Sequence, residues 1–369
     1  MNAYIRNRAA ALACVVSLAG CVIGPRAHDD GNTYRQRNLV ADTALAGAEH
    51  VDPNLVNAWG LAFNPYGVAW VNDNGTGKST LYDGDGNPQA LVVTIPPAVA
   101  GDTGNPTGIV FYGGQGFVVR QGTLSGPSRF IFASEDGGIA GWAPNVNATN
   151  AIRVVNNTGA VYKGLAISAG GSGALLYAAD FRNNRIDVFD SNFAPVALPG
   201  RPFYDPRVPA GYAPFGVQAI NGDIYVTYAK QDATRTDDVA GAGFGFVNVF
   251  TPNGELVRRF ATRGVLNAPW GLALAPASFG RFGNRLLIGN FGDGAINAFD
   301  VDTGVFVGRL RGKNHKPIAI DGLWGLAFGS GVANQPTNTL FFTAGPGDEE
   351  HGLYGRLDAE DDAGLRQDR

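Results

Sequence analysis

Six times along the chain a glycine follows the same kind of short apolar phrase. The phrases are "AWGLAF" (Gly60), "PTGIVF" (Gly108), "YKGLAI" (Gly164), "PFGVQA" (Gly216), "PWGLAL" (Gly271) and "LWGLAF" (Gly325), spaced 48, 56, 52, 55 and 54 residues apart. A period near fifty belongs to stacked supersecondary units, none of which buries its apolar face alone. The content of each unit decides between helix and strand. Runs such as "LLYAAD", "RIDVFD", "RLLIGN" and "AINAFD" are short, β-branched or aromatic, and bounded by Gly, Asn and Asp turns. No sustained 3.6-residue apolar stripe occurs after the first thirty residues.

The pattern predicts an all-β, six-bladed β-propeller with four-stranded blades. Unit five shows the strands best, over 271–275, 285–290, 294–300 and 305–311. Unit six runs out after "LFFTAG" and "GLYGRLD". Its missing strand is supplied by "YRQRNLVAD", residues 34–42, so that the N-terminal segment pairs with the last strand and removes the open edge. The expected organisation is a leader over 1–20, a tether over 21–33, the propeller over 34–358 and an acidic tail over 359–369.

The glycine has a packing rationale. The first strand of each blade lines the axis, where blades crowd and a side chain would clash. The aromatic residues just before it, Trp59, Phe215, Trp270 and Trp324, are expected to fill the wedges between blades, with ligand stacking as the alternative.

At the N-terminus, Arg6 and Arg8 precede the apolar run "AAALACVVSLA" (9–19). About 20 residues are needed to span a bilayer, so the run reads as an export signal. It ends in "LAGC", which resembles a bacterial lipobox with Cys21 as the lipid acceptor. Val22 follows where a retention signal places Asp, so the expectation is an exported cell-envelope lipoprotein, in the outer membrane and facing periplasm or surface. The net charge of −4 and the lack of a basic stripe argue against nucleic acid.

Loops joining second and third strands open on one face near the axis. They are read as 72–77, 120–128, 179–184, 229–243, 289–294 and 344–352. Asp73, Asp180 and Asn290, with Asp321 from a leading loop, come from four blades. They either cap their own loops or form a ring of hard oxygen ligands suited to Ca²⁺. His351 or Glu350 in "GDEEHG" is the candidate general base. Trp59, Lys163, Arg182, Lys230, Asp232, Trp270 and Trp324 are candidates for a ligand face. The longest insertion, 228–243, also carries Arg235, Asp237 and Asp238 and is expected to act as a lid or partner contact. No G-x-S-x-G, H-E-x-x-H or C-x-x-C occurs.

The unit "LYAADFRNNRIDVFD" resembles the NHL-type repeat. The stretches "DPNLVNAWGLAFNP", "NDNGTGKSTLYDGDG", "FIFASEDGGIAGW", "APWGLALAP", "IDGLWGLAFG" and "FFTAGPGDEEHGLYG" are similar to an uncharacterised bacterial family of exported propellers. That resemblance implies fold and export. The gluconolactonase and regucalcin group is a more distant likeness; it holds a divalent metal at the channel mouth, but no Glu stands at the start of a first strand here. Two functions stay open. One is a monomeric, lipid-anchored binding module for a protein, glycan or small molecule. The other is a divalent-metal-dependent hydrolase or lactonase.

Overall fold

A computed structural model describes residues 33–44, 47–170 and 173–360. Among them there is no α-helix, and the strands form six radial sheets. Blade one comprises Ala58–Phe63, Ala69–Asp73, Lys78–Tyr82 and Val93–Thr94. Blade five comprises Pro269–Leu274, Arg285–Asn290, Ile296–Asp300 and Phe306–Arg309, close to the sequence reading.

Blade six closes the ring as expected. Leu323–Phe328, Thr339–Ala344 and Leu353–Glu360 are joined on the outer side by Thr33–Ala41, antiparallel to the last strand with Tyr34 opposite Ala359. Paired backbone begins at Thr33 and ends at Glu360, so the strands take the last residue of the expected tether and the first two of the expected tail. The leader and Cys21 lie outside the described residues. Around the closure, Arg37 pairs with Glu49 and Asp85, and Arg356 with Asp85 and Asp358. The seam therefore also holds the outer turn of blade one, where "DGDGN" is an Asx turn with Asp83 accepting the Asp85 and Asn87 N–H groups.

Two expectations fail. Blade three has three strands, Tyr162–Gly170, Gly173–Asp180 and Arg185–Phe189. The chain turns back and makes one bridge, Phe189 to Pro195. Pro195, Pro199, Pro202, Pro206 and Pro209 then remove the N–H donors that a fourth strand needs. In blade two, residues 120–128 are no upper loop. Val118–Gln121 and Leu124–Pro127 form a separate hairpin between the first strand, Pro106–Phe111, and the second, Phe130–Ser134. That connection lies at the opposite end, and the upper loop of blade two is the tight turn after Ser134 that carries Glu135 and Asp136.

The core is divided in the same way as the fold. Six apolar clusters each bridge one pair of adjacent blades, and a seventh, aromatic cluster sits on the axis. The repeated glycines set this geometry. A Cβ on Gly60 would strike the Thr107 carbonyl of the next blade; Gly108 faces Leu165, Gly164 the Phe215 carbonyl, Gly216 that of Trp270, and Gly271 that of Trp324. Gly325 faces the Trp59 carbonyl and completes the circle, every approach being closer than 3.0 Å. Replacing Gly60 or Gly216 by Ala should therefore cost about 3 kcal/mol or more, read as a lower urea midpoint for each variant.

Candidate functional site

The residue before each inner glycine points to one place. These six are Trp59, Thr107, Lys163, Phe215, Trp270 and Trp324. Trp59 stacks on Trp324 at 3.6 Å between centroids, Phe291 covers Trp324 at 4.0 Å, and Trp270 meets Trp59 edge-on at 6.4 Å. Phe215 approaches Trp324 across the axis at 5.7 Å. These rings cap the channel rather than fill the wedges between blades, which corrects the packing expected from sequence. With Trp59 and Trp324 fully buried, neither offers a face to a ligand. Below the cap, the residues after each glycine, Leu61, Ile109, Leu165, Val217, Leu272 and Leu326, line a cavity of about 30 Å³, room for about one water. The functional surface is thus a dish over a closed axis.

Lys163 interrupts the aromatic ring. It is 1% exposed, and its Nζ stands 4.9 Å from the Trp59 ring centroid, a cation–π arrangement. Its carbonyl accepts the Trp270 indole N–H at 2.9 Å. Carboxylates converge on the ammonium from separate blades. Glu135 lies at 2.6 Å and Asp237 at 3.3 Å. Burial alone would push the lysine down, but Glu135 and Asp237 outweigh it and hold the ammonium above its ordinary range.

A hydrogen-bonded rim extends the cluster. Asn74 donates to Glu135 at 3.0 Å, Asn57 donates to Glu349 at 2.5 Å, and Trp324 donates to Asn57 at 3.0 Å. Glu349 reaches the rim because Asp348 and Glu349 both adopt positive φ, +55° and +67°. Two successive non-glycine residues in that region store strain, which concentrates where a side chain must be aimed. Burial first, and then the nearby Asp237 charge, push Glu349 up to about 7. Burial and Asp237 likewise push Asp238 up to about 7, and both of its carboxylate oxygens are buried without a partner. The Trp59 indole N–H is also buried and unpartnered.

The 228–243 insertion forms a hydrogen-bonded arch. Asp232 accepts hydrogen bonds from the Thr234 hydroxyl and the Thr236 and Asp237 backbones, which hold its carboxyl down at about 2 against the effect of burial. Val239 N–H closes the arch on the Lys230 carbonyl. Asp232 therefore shapes the loop, and Asp237 and Asp238 serve the site. Lys230 lies over the Phe244 ring at 4.3 Å. Arg182, half-buried, supplies its carbonyl to Gln231. Of the expected ligand face, only Lys163 and the half-buried Trp270 belong to the dish.

The proposed metal ring does not assemble. Asp73 accepts from Thr80 in its own blade; Asp180 from Val161, Asn183 and Arg185; Asn290 bonds the Val265 carbonyl and Asp293; Asp321 accepts from Gly347. Asp180 and Asn290 tie down their own loops and Asp321 its neighbour, the other reading of these residues, while Asp73 makes no cap and meets only the Thr80 hydroxyl in its sheet. Among the described residues no group of three His, Cys, Asp or Glu is placed to hold a metal ion. His351 turns to the closing segment, its Nδ1 2.8 Å from Asp42, whose carboxylate holds the imidazole above its ordinary value. Glu350 is exposed, and the residue before it enters the site instead.

These features define a six-bladed β-propeller with a carboxylate-rich, lysine-centred mouth. The chain is 37% identical over 330 residues to one uncharacterised protein of Acanthamoeba polyphaga mimivirus, covering 87% of this chain and 79% of the relative. It is 35% identical over 334 residues to a second from the same virus, covering 88% and 86%. The chain belongs to the family of these uncharacterised proteins. No family model matches it. Among solved structures it is similar to the soluble aldose sugar dehydrogenase of Escherichia coli, with a TM-score of 0.55, 13% identity and coverage of 89% and 100%. A Bacteroides thetaiotaomicron protein of unknown function also gives 0.55, at 12% identity over 89% and 76%. These likenesses establish the propeller. They carry neither the bacterial origin nor the NHL-type repeat expected from sequence, since the relatives are viral.

Asp238 titrates near 7 when folded and near 3.8 when unfolded. The unfolded chain therefore loses this proton first, and stability falls as pH rises from about 4 to about 7, then levels. Asp238→Asn should reduce that slope, leaving the part that Glu349 contributes over the same window, and raise stability at pH 8 by about 2 kcal/mol, measured by urea unfolding at the two ends of the window.

Proposed function

We propose that this protein is a binding propeller whose channel mouth takes a cationic group, such as a primary amine on a small molecule, glycan or protein. The observation that carries the reading is the Asp238 carboxylate, buried with no partner beside Glu349, Asp237 and Glu135, against a single ammonium. A second positive charge offsets the burial and like-charge crowding that push Asp238 and Glu349 up to about 7. Glu135 and Asp237 keep exposed edges, with side-chain exposures of 29% and 51%, so a ligand group has access from solvent. Lys163 fixes the geometry of the carboxylates and sets the limit on how many cations fit.

Export, lipid anchoring through Cys21 to the cell envelope, monomeric state and kinship with exported bacterial propellers form part of the same proposal. They rest on the "LAGC" motif and the resemblance already described. A hydrolytic reading draws on Asp238 and Glu349 as an acid–base pair ionising near 7. It has no support from the Asp73, Asp180, Asn290 and Asp321 set, which does not converge.

Calorimetric titration with spermidine distinguishes these readings. Binding is expected to strengthen as pH rises from 6 to 8, because Asp238 and Glu349 must release protons to pair with the cation. Asp237→Asn should weaken it by roughly tenfold, about 1.4 kcal/mol. Equal binding of a neutral oligosaccharide, or an affinity independent of pH, would count against the cation site. Lactone turnover lost in Glu349→Gln would favour the hydrolase.

A further inference from the structure

A second cavity lies at the other end of the molecule, between blades one and two. It measures about 650 Å³, within the range of small-molecule sites. The connections that border it join first to second strands, so it opens away from the mouth carboxylates. Its walls are aromatic. Trp70 stacks on Phe130 at 4.0 Å and lies 4.8 Å from Trp142, and Phe111 meets Phe130 edge-on at 5.5 Å. Leu91 adds a half-buried aliphatic side, and Tyr66 stands 87% exposed at the rim.

One charged group lines this cavity. The Arg129 side chain is half-buried and makes a single hydrogen bond, to the Gly114 carbonyl at 3.1 Å. It has no carboxylate partner among the described residues, so its charge is available to a ligand that enters the cavity. A guanidinium presents a planar fork of donors that matches a carboxylate, and most of that fork is unused here. An apolar chamber with one unpaired cation in its wall selects a ligand that is apolar over most of its surface and anionic at one end. Trp70, Phe130 and Trp142 are buried against one another, so the chamber meets a ligand with ring edges, which favours a flat ring packed edge-to-face.

We propose that the cavity between blades one and two is a binding site for a planar aromatic carboxylate, with Phe111, Leu91, Tyr66 and the edges of Trp70 and Trp142 enclosing the ring system and Arg129 pairing with the carboxylate.

The test is calorimetric titration of the full chain with naphthoate, naphthamide and naphthylmethylamine, alongside quenching of tryptophan fluorescence. Naphthoate should bind at one site, roughly tenfold more tightly than the neutral amide, and the amine should bind more weakly than either. Arg129→Gln should bring naphthoate down to the level of the amide without changing amide binding; Arg129→Lys should keep part of the preference. Leu91→Trp fills the chamber and should abolish both, with Val68→Phe as a second filling variant if the first lowers stability. Arg129→Gln should leave spermidine binding at the mouth unchanged, so that failure of the amine site and failure of this one read out separately. The proposal is overturned by wild-type protein that binds no naphthoate to its solubility limit, by a preference that survives Arg129→Gln, or by folded filling variants that still bind.

Discussion

The structure depends on how closely six inner strands approach one another around the axis. At each contact the backbone of one blade occupies the space where the neighbouring glycine would carry a Cβ. A side chain there would push every wedge outward, because a closed ring distributes a local expansion over all of its interfaces. The glycines thus act together. They hold the inner strands near enough that the residue before each one reaches the axial cap and the residue after each one seals the space beneath. The polar mouth exists because this cap is closed: a lysine laid on a tryptophan floor is cut off from the axis below, and its charge is answered by the loops above.

The mouth is built by division of labour among the blades. Blade three contributes the ammonium, blade two Glu135, blade four the two aspartates on their arch, and blade six Glu349, steered by Asn57 from the approach to blade one. No blade carries the site alone, and the tight inner ring converts six separate upper turns into one surface. The distribution also explains why internal repetition conceals function here. The inner strands repeat because they solve one packing problem, whereas the upper turns differ because each supplies a different group.

What the sequence revealed follows that distinction. The propeller, the glycine contacts and the closing of blade six by an N-terminal strand were legible, because each follows from a repeat or from a missing partner. The site was legible only in part. Lys163 was recognisable from its place in a row of aromatics. Glu349 was missed by one residue, because which of two adjacent glutamates turns inward depends on consecutive left-handed residues that composition does not encode. Glu135 was hidden by the hairpin inserted into blade two: counting strands in order assigned 120–128 to the wrong end, although "SEDGG" between two apolar runs is itself a hairpin signal. The missing strand of blade three had a readable cause in its run of prolines. The acidic and amide residues at strand ends were ambiguous by type; Asp180 and Asn290 bond within their own loops, whereas Asp73 bonds Thr80 inside its sheet.

The seam in blade six carries a consequence for the order of events during biosynthesis. Tyr34 pairs with Ala359, so the first described strand waits for the last one, and the circle stays open while the chain between them is being made. Until then, blade six lacks its outer strand and the wedge between blades six and one is unfilled. Long-range pairing of this kind is slow and leaves apolar surface uncovered in the interim. The finished ring has the opposite character: both ends of the ordered chain lie within one sheet, so fraying from either end must first break the joint that shuts the circle.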